Sequence, residues 1–280
     1  MSTRTFTFAA AVNSRSVLEE NLLASPCLAE GRAHQVLLQE GFASAAAAYN
    51  EAIDKSENDL IVFVHQDMIL PGDWLGQIES ALVYLEEKDP NWGVLGCYGK
   101  TQANEGHGYV FQSGPGFIGA PFELPERVQT LDEIVLILRK SSGLRFDESL
   151  SHYHLYGTDI CLRAEQSGRR NYSVPAFCVH NTNQNYILPK EFYECYWQMR
   201  RVWKNKLPIQ ASCIRITKWN VPVYKRRLWE IYLRYLRQKK APGMRSHNVQ
   251  QLLKAAGVSL PQSRASESAP LVAHSTHAND

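Results

Sequence analysis

The chain has 280 residues, 44% hydrophobic and 21% charged, with a formal net charge of +2. That suits an ordinary globular protein with one substantial core, or one core with a smaller appendage, and calls for no nucleic-acid partner. No apolar run approaches the roughly 18 to 20 residues of a spanning helix, so an integral membrane protein is not expected.

Phe6 to Val12 is a short apolar run without polar alternation, as in a strand buried on both faces of a parallel sheet. Arg4 before it has the rough form of a signal-peptide start, but Asn13, Arg15, Glu19 and Glu20 follow closely, so a first strand is the preferred reading. Ser14 or Ser16 could cap a helix running through Glu19 to Ala24, which Pro26 closes. His34 to Gln39 reads as a second strand, Ala43 to Lys55 as an alanine-rich helix and Leu60 to Val64 as a third strand. This alternation predicts an α/β architecture.

After Pro71 the apolar positions Trp74, Leu75, Ile78, Leu82 and Leu85 predict a helix, followed by a strand at Val94 to Tyr98. Gly99 to Gly119 reads as loop, with short strands around Tyr109 to Phe111. Ile134 to Leu138 and Tyr172 to Val179 read as strands, Thr158 to Gln166 as a short helix, and Lys190 to Lys204 as a long one. The six cysteines are spread singly and form no zinc or redox spacing, which predicts reduced core thiols in a cytoplasmic protein.

Three places carry chemistry. In Phe63-Val64-His65-Gln66-Asp67 a buried strand runs into polar residues, and open α/β sheets bind ligands beyond the carboxyl ends of their strands. Asp67 supplies a hard oxygen for a divalent cation, or alternatively turns the chain toward Pro71. Asp159, in Tyr156-Gly157-Thr158-Asp159, stands in the first turn of a helix, where the dipole favours an ionised carboxylate able to take a proton; the alternative is a plain helix-start aspartate. His180, in Val179-His180-Asn181, is a candidate metal or phosphate ligand or a structural histidine. His152-Tyr153-His154 is read as loop. No G-x-G-x-x-G follows the first strand, and no P-loop or G-x-S-x-G occurs, so the usual markers of dinucleotide, NTPase and hydrolase chemistry are missing.

In order, Ser25-Pro26, Ala48-Tyr49-Asn50, His65-Gln66-Asp67 with Pro71 and Trp74, Leu131-Asp132, Phe146-Asp147-Glu148, Gly157-Thr158-Asp159, Leu162-Arg163-Ala164, Gly168, Pro175 and His180 resemble the family 2 glycosyltransferases of the GT-A fold. The likeness is to a bacterial subgroup with His-Gln-Asp in place of Asp-x-Asp, and it covers about Thr5 to Pro208.

The resemblance implies a Rossmann-like, mixed and mainly parallel sheet flanked by helices, with a C-terminal helical extension. It implies a donor site at Val12, Asn13, Asn50, His65, Gln66 and Asp67, a divalent metal at Asp67, His180 and His65, and Asp159 as catalytic base. Thr158 stands where the family has a glutamate. Imidazole ligands favour manganese over magnesium. The implied reaction moves a sugar from a nucleotide-diphosphate donor, a UDP-sugar foremost, to an acceptor hydroxyl, with inversion. The acceptor would be a glycan, a lipid-linked molecule or a small molecule, in polysaccharide or glycoconjugate synthesis.

Gln198 to Trp203 is similar to the Q-x-x-R-W motif of processive synthases but has one residue too many, so a single transfer per acceptor is expected. The expected organisation is a glycosyltransferase domain over 1–208, a basic amphipathic extension over 209–260 and a disordered tail over 261–280. From Tyr224 to Arg245 eight cations face one acid, Glu230, and Leu228, Ile231, Tyr232, Tyr235 and Leu236 fall at helical spacing among them. That is the form of an interfacial helix, or of one packed on the domain or a second subunit. A peripheral position at the inner face of a membrane fits the first form. The competing class is a binding module that holds a nucleotide sugar or glycan without turnover. Nucleotidyl transfer would require a glycine-rich basic loop after the first strand, and Val12 to Val17 contains no glycine.

Overall fold

The computed structural model describes residues 4–29, 34–182, 187–236 and 245–258. The expected tail and residues 237–244 of the basic segment lie outside the described residues. In chain order the elements are β1 (Phe6–Val12), α1 (Arg15–Glu20), α2 (Pro26–Ala29), β2 (Gln35–Glu40), α3 (Ala45–Lys55), β3 (Leu60–Val64), β4 (Met68–Ile69), α4 (Trp74–Lys88), β5 (Leu95–Gly96), β6 (Tyr98–Lys100), β7 (Gly106–Gln112) and β8 (Gly116–Gly119). There follow β9 (Glu126–Val128), β10 (Thr130–Leu131), β11 (Val135–Arg139), α5 (Tyr156–Gln166), β12 (Asn171–Ser173), β13 (Cys178–His180), α6 (Lys190–Val202), β14 (Ile209–Gln210), β15 (Arg215–Ile216), α7 (Val221–Ile231) and α8 (Val249–Ala255).

The main sheet has seven strands in the order β2-β1-β3-β11-β5-β12-β9. It is mixed: β1 runs parallel to β2 and β3, and β5 to β12, while β11 is antiparallel to both β3 and β5. Its central strands lack polar alternation because both faces are covered. Ala9, Ile61, Phe63, Leu136 and Leu138 face one core with α3, α5 and α6. Phe8, Ala10, Val62, Val64, Val135 and Ile137 face the other with α4. Each such large side chain contributes roughly 1.5–3 kcal/mol by leaving water. α3 begins where Ser44 accepts a hydrogen bond from the Ala47 N–H, 3.2 Å.

Two expected elements came out differently. Gly99 to Gly119 holds the strand expected around Tyr109 to Phe111, but in place of the surrounding loop β6, β7 and β8 form an antiparallel meander in a second sheet of six strands, ordered β10-β6-β7-β13-β4 with β8 on β7. Its glycines allow close strand approach. A Cβ on Gly119, whose φ is +77°, would lie 1.9 Å from the Gly108 carbonyl oxygen. The stretch Tyr172 to Val179 divides at Pro175 into β12, in the main sheet, and β13, in the second one. Proline cannot donate to a ladder, and the chain changes sheets there.

Beyond Pro208 the chain continues the same core, with Ile209, Ile214, Ile216 and Val223 joining the residues around α5 and α6. α7 is fixed from below by buried Glu230, which accepts hydrogen bonds from Tyr193 Oη at 2.7 Å, the Leu188 N–H at 3.1 Å and Arg226 Nε at 3.1 Å. α8 lays Leu252 and Leu253 on Ile69 and Val179. No helix among the described residues is long and apolar enough to cross a membrane.

Candidate functional site

The parallel registers that pair Ala9 with Phe63 put the carboxyl ends of β1 and β3 side by side. β11 runs the opposite way beside β3, so its start lies at the same edge, where the Ile134 carbonyl accepts the His65 N–H at 3.1 Å. A cavity of about 1000 Å³ opens there. Val12, Asn13, His65, Gln66 and Asp67 line it, as does Arg245.

Gln66 ties the two strand ends together. Its Oε1 accepts the N–H groups of Asn13 and Ser14, both at 3.1 Å, and its Nε2 donates to Asn13 Oδ1. The second sheet brings in His180: β13 pairs with β4 so that His180 opposes Met68, and the Asn181 N–H donates to the Asp67 carbonyl at 2.9 Å. His65, Asp67 and His180 thereby place one ligand-type atom each within 4.8 Å of one another. His180 Nε2 is 3.3 Å from Asp67 Oδ1, and the side chains are 11% and 13% exposed.

The electrostatics of this cluster follow from burial. Burial alone would raise the Asp67 carboxyl, but His180, His65 and Arg245 outweigh it and hold Asp67 well below the usual carboxylate range. Burial lowers His65, with Asp67 opposing. For His180 the burial effect is overcome by Asp67, which raises it. His65 Nε2 shares a hydrogen bond of 2.9 Å with Tyr156 Oη, while His180 Nδ1 is buried without a partner among the described residues. Two imidazoles and a carboxylate at this spacing form a suitable donor set for a divalent cation.

Two expected residues lie elsewhere. Asn50 is buried under the Phe146 segment: its Nδ2 donates to the Phe146 carbonyl at 3.0 Å and to Glu148 Oε1 at 2.8 Å, and its Oδ1 accepts the Phe146 N–H at 3.0 Å. It braces a loop and does not touch the cavity. Asp159 is 2% exposed and is not part of the cavity wall. Its Oδ2 accepts from Arg163 Nε at 2.6 Å and its Oδ1 from Trp203 Nε1 at 2.7 Å, so both oxygens are occupied. Burial raises its pKa, against the lowering by Arg163 and Trp203. A base must come within about 3 Å of the proton it removes, and in this structure Asp159 is hydrogen-bonded to Arg163 and Trp203.

Sequence reasoning missed Arg245 and Tyr156 as site residues. Arg245 reaches Asp67 Oδ2 at 3.0 Å across 178 residues of chain, placed by Asn181, whose carbonyl accepts from Arg245 Nε at 3.1 Å and whose Oδ1 accepts the Ser246 N–H at 2.8 Å. Nothing local in the sequence signals that contact. Tyr156 opens α5 and lines the cavity, and its signal was its place just before Gly157-Thr158-Asp159.

A family model described as "Glycosyltransferase like family" matches residues 11–194. A Fuscovulum blasticum protein described as "ATP synthase subunits region ORF 6" is 26% identical over 167 residues, covering 57% of this chain and 66% of that protein, just under two thirds of its length. Among solved structures, S. aureus TarS (residues 1–349) is similar with a TM-score of 0.45 and 14% identity, covering 84% of this chain and 73% of that one. A Drosophila β-1,4-galactosyltransferase 7 variant in complex with manganese, UDP-Gal and xylobiose is similar with a TM-score of 0.38 and 13% identity, covering 60% of this chain and 63% of that one.

Proposed function

This chain belongs to the glycosyltransferase-like family, and from that premise we propose that it moves a sugar from a nucleotide-diphosphate donor to an acceptor hydroxyl, once per acceptor and with inversion. The observation that carries the proposal is the His65–Asp67–His180 cluster, of which His65 and Asp67 line a cavity beyond the ends of β1 and β3. A UDP-sugar is the donor proposed first, and the setting proposed is bacterial glycan or glycoconjugate synthesis.

His65, Asp67 and His180 would hold a divalent cation, manganese in preference to magnesium because two of the three donors are imidazoles. When bound, such a cation supplies Lewis-acid stabilisation of the departing diphosphate. The protein's own groups do the rest. Arg245 and Arg15, both at the cavity, offer guanidinium groups for the phosphates. The Gln66 bonds to Asn13 and Ser14 fix the nucleotide end of the cleft before the donor arrives.

A thermal-shift panel of UDP, GDP, dTDP and CMP, with and without manganese, tests the proposal, since a ligand that binds only the folded state raises its stability. A manganese-dependent rise with one diphosphate is expected. No response to any nucleotide would refute the donor reading. The withdrawal of Asp159 from the cavity favours a second reading, a module that binds a nucleotide sugar without turnover. Release of nucleoside diphosphate from a donor separates the two.

α7 supports a further partner, an anionic membrane surface carrying a lipid-linked acceptor. Val221, Tyr224, Leu228 and Ile231 form an exposed apolar stripe on the side opposite buried Val223 and Glu230. Lys225, Arg227 and Arg234 flank it, and the helix's one acid is buried beneath. Two copies of so cationic a face repel each other, whereas anionic lipid attracts it.

A further inference from the structure

Resting on the glycosyl-transfer reading above, we infer that Glu133 is the general base that takes the proton from the acceptor hydroxyl. Asp159 leaves that role open, because both of its oxygens are held by Arg163 and Trp203. Glu133 stands in the turn between β10 and β11, one residue before Ile134, whose carbonyl binds the His65 N–H. The Glu133 carbonyl accepts from Tyr156 Oη at 3.3 Å, and Tyr156 Oη meets His65 at 2.9 Å. The Glu133 backbone carbonyl is thus one hydrogen bond from Tyr156, which lines the cavity, and two from His65 of the ligand cluster.

Its carboxylate is delivered to the start of α5. The Gly157 N–H donates to Glu133 Oε1 at 3.3 Å, and the Leu155 backbone contributes a second hydrogen bond. Leu155 adopts a left-handed φ of 63°, unusual for a branched side chain, and this sharp entry brings the N–H groups of the first turn onto the carboxylate. Residue 157 has no side chain because Glu133 fills its place: a Cβ there would lie 2.8 Å from Glu133 Cγ. The carboxylate at this helix start therefore comes from a different part of the chain than the Thr158-Asp159 motif indicates.

Unlike Asp159, Glu133 forms no ion pair among the described residues. The titratable groups around it are Asp132 on its own turn, Tyr156 and Cys161 of α5, Tyr49 of α3, Cys195 of α6 and Cys213 between β14 and β15. Burial first, then Asp132, push the Glu133 carboxyl up to about 8, against the two backbone N–H groups. A base whose pKa lies near the working pH is the efficient one.

In the step itself, the carboxylate takes the hydroxyl proton while the acceptor oxygen bonds to the anomeric carbon. The bond from that carbon to the diphosphate oxygen breaks, and its electron pair leaves with the nucleoside diphosphate.

The test uses the full chain, UDP with manganese for binding, and a panel of UDP-, GDP- and dTDP-sugars for nucleoside diphosphate release. Glu133→Gln keeps an oxygen for the Gly157 N–H but takes up no proton. Its release rate should fall by about 10² to 10⁴, with nucleotide affinity and melting temperature close to those of the wild type at pH 6. The double variant E133G/G157D returns a carboxylate to the same spot from the other chain segment and should recover at least about tenfold over E133G alone, a rescue that a merely structural role for Glu133 would not give. Wild-type release by Glu133→Gln overturns the base assignment and leaves the transfer reading standing. Loss of nucleotide binding along with release also overturns it, by making Glu133 a donor-site brace. A wild type that neither binds a nucleotide nor releases one from any donor overturns the transfer reading and the base assignment with it.

Discussion

Asp159→Asn separates a proton acceptor from a structural ion pair. The asparagine still accepts from Trp203 Nε1 but presents an N–H₂ group to Arg163 Nε, 2.6 Å away in the native pair. Removing one partner of a buried pair costs about 3–5 kcal/mol. Arg163 is 32% exposed and also pairs with Asp147, so part of its charge stays solvated and compensated, and about 2–3 kcal/mol is the better figure. At roughly 2–4 °C per kcal/mol for a chain of this size, the melting temperature should fall by about 4–12 °C. The assay pairs a thermal melt with nucleoside diphosphate release measured well below the melt, normalised to folded protein. Release per folded molecule should remain within a few-fold of the wild type. An unchanged melting temperature with a 10² to 10⁴ loss of release would refute this reasoning and restore Asp159 as the base.

Asp67→Ala should abolish the manganese-dependent part of nucleotide stabilisation while leaving the protein folded, which a thermal-shift titration with and without the metal reads directly; undiminished metal dependence would remove Asp67 from the site. Asn50→Ala should cost about 1–3 kcal/mol by stripping the Phe146 N–H and carbonyl of buried partners, with nucleotide affinity unchanged in calorimetry below the melt. Glu133 binds its proton more tightly folded than unfolded, so its contribution to stability is fully present below about pH 4.5 and is lost as the pH rises through about 8. The melting temperature of Glu133→Gln should therefore gain on the wild type between pH 5 and pH 9, and a constant difference across that range would contradict the raised pKa. Leu228→Glu with Ile231→Glu should abolish co-sedimentation with phosphatidylglycerol vesicles and leave the melt unaltered; retention on the vesicles would show that the α7 face is not the contact.

The strands and helices that carry the site were legible in the sequence because their burial is local and periodic. Phe6 to Val12 and Leu60 to Val64 are apolar on both faces since both are covered, and Trp74 to Leu85 repeats at helical spacing over one core. His65-Gln66-Asp67 stood out because polar groups directly after a buried strand lie where open sheets bind ligands. The resemblance in motif order then pointed to the family, and the match over residues 11–194 shows it.

What composition and spacing could not decide was which side chains meet. A helix-start aspartate reads the same whether it faces solvent, substrate or an arginine, and only the packing of Trp203 and Arg163 on Asp159 shows that it is occupied. Asn50 is similar: its site was motif-like, but its amide is spent on Phe146. Of the meander over 98–119 only strand around Tyr109 to Phe111 was legible, because its strands are stabilised by partners across the sheet and by glycine contacts, which leave little trace in periodicity. Arg245 over Asp67, His180 opposite Met68 and Glu133 in the space left by Gly157 join segments that are distant in the chain. The sequence by itself determined the periodic elements and the chemistry available at their ends. Tertiary structure decided which of those groups share a site, because side-chain pairing across the fold is set by sheet register and helix packing, and neither is a local property.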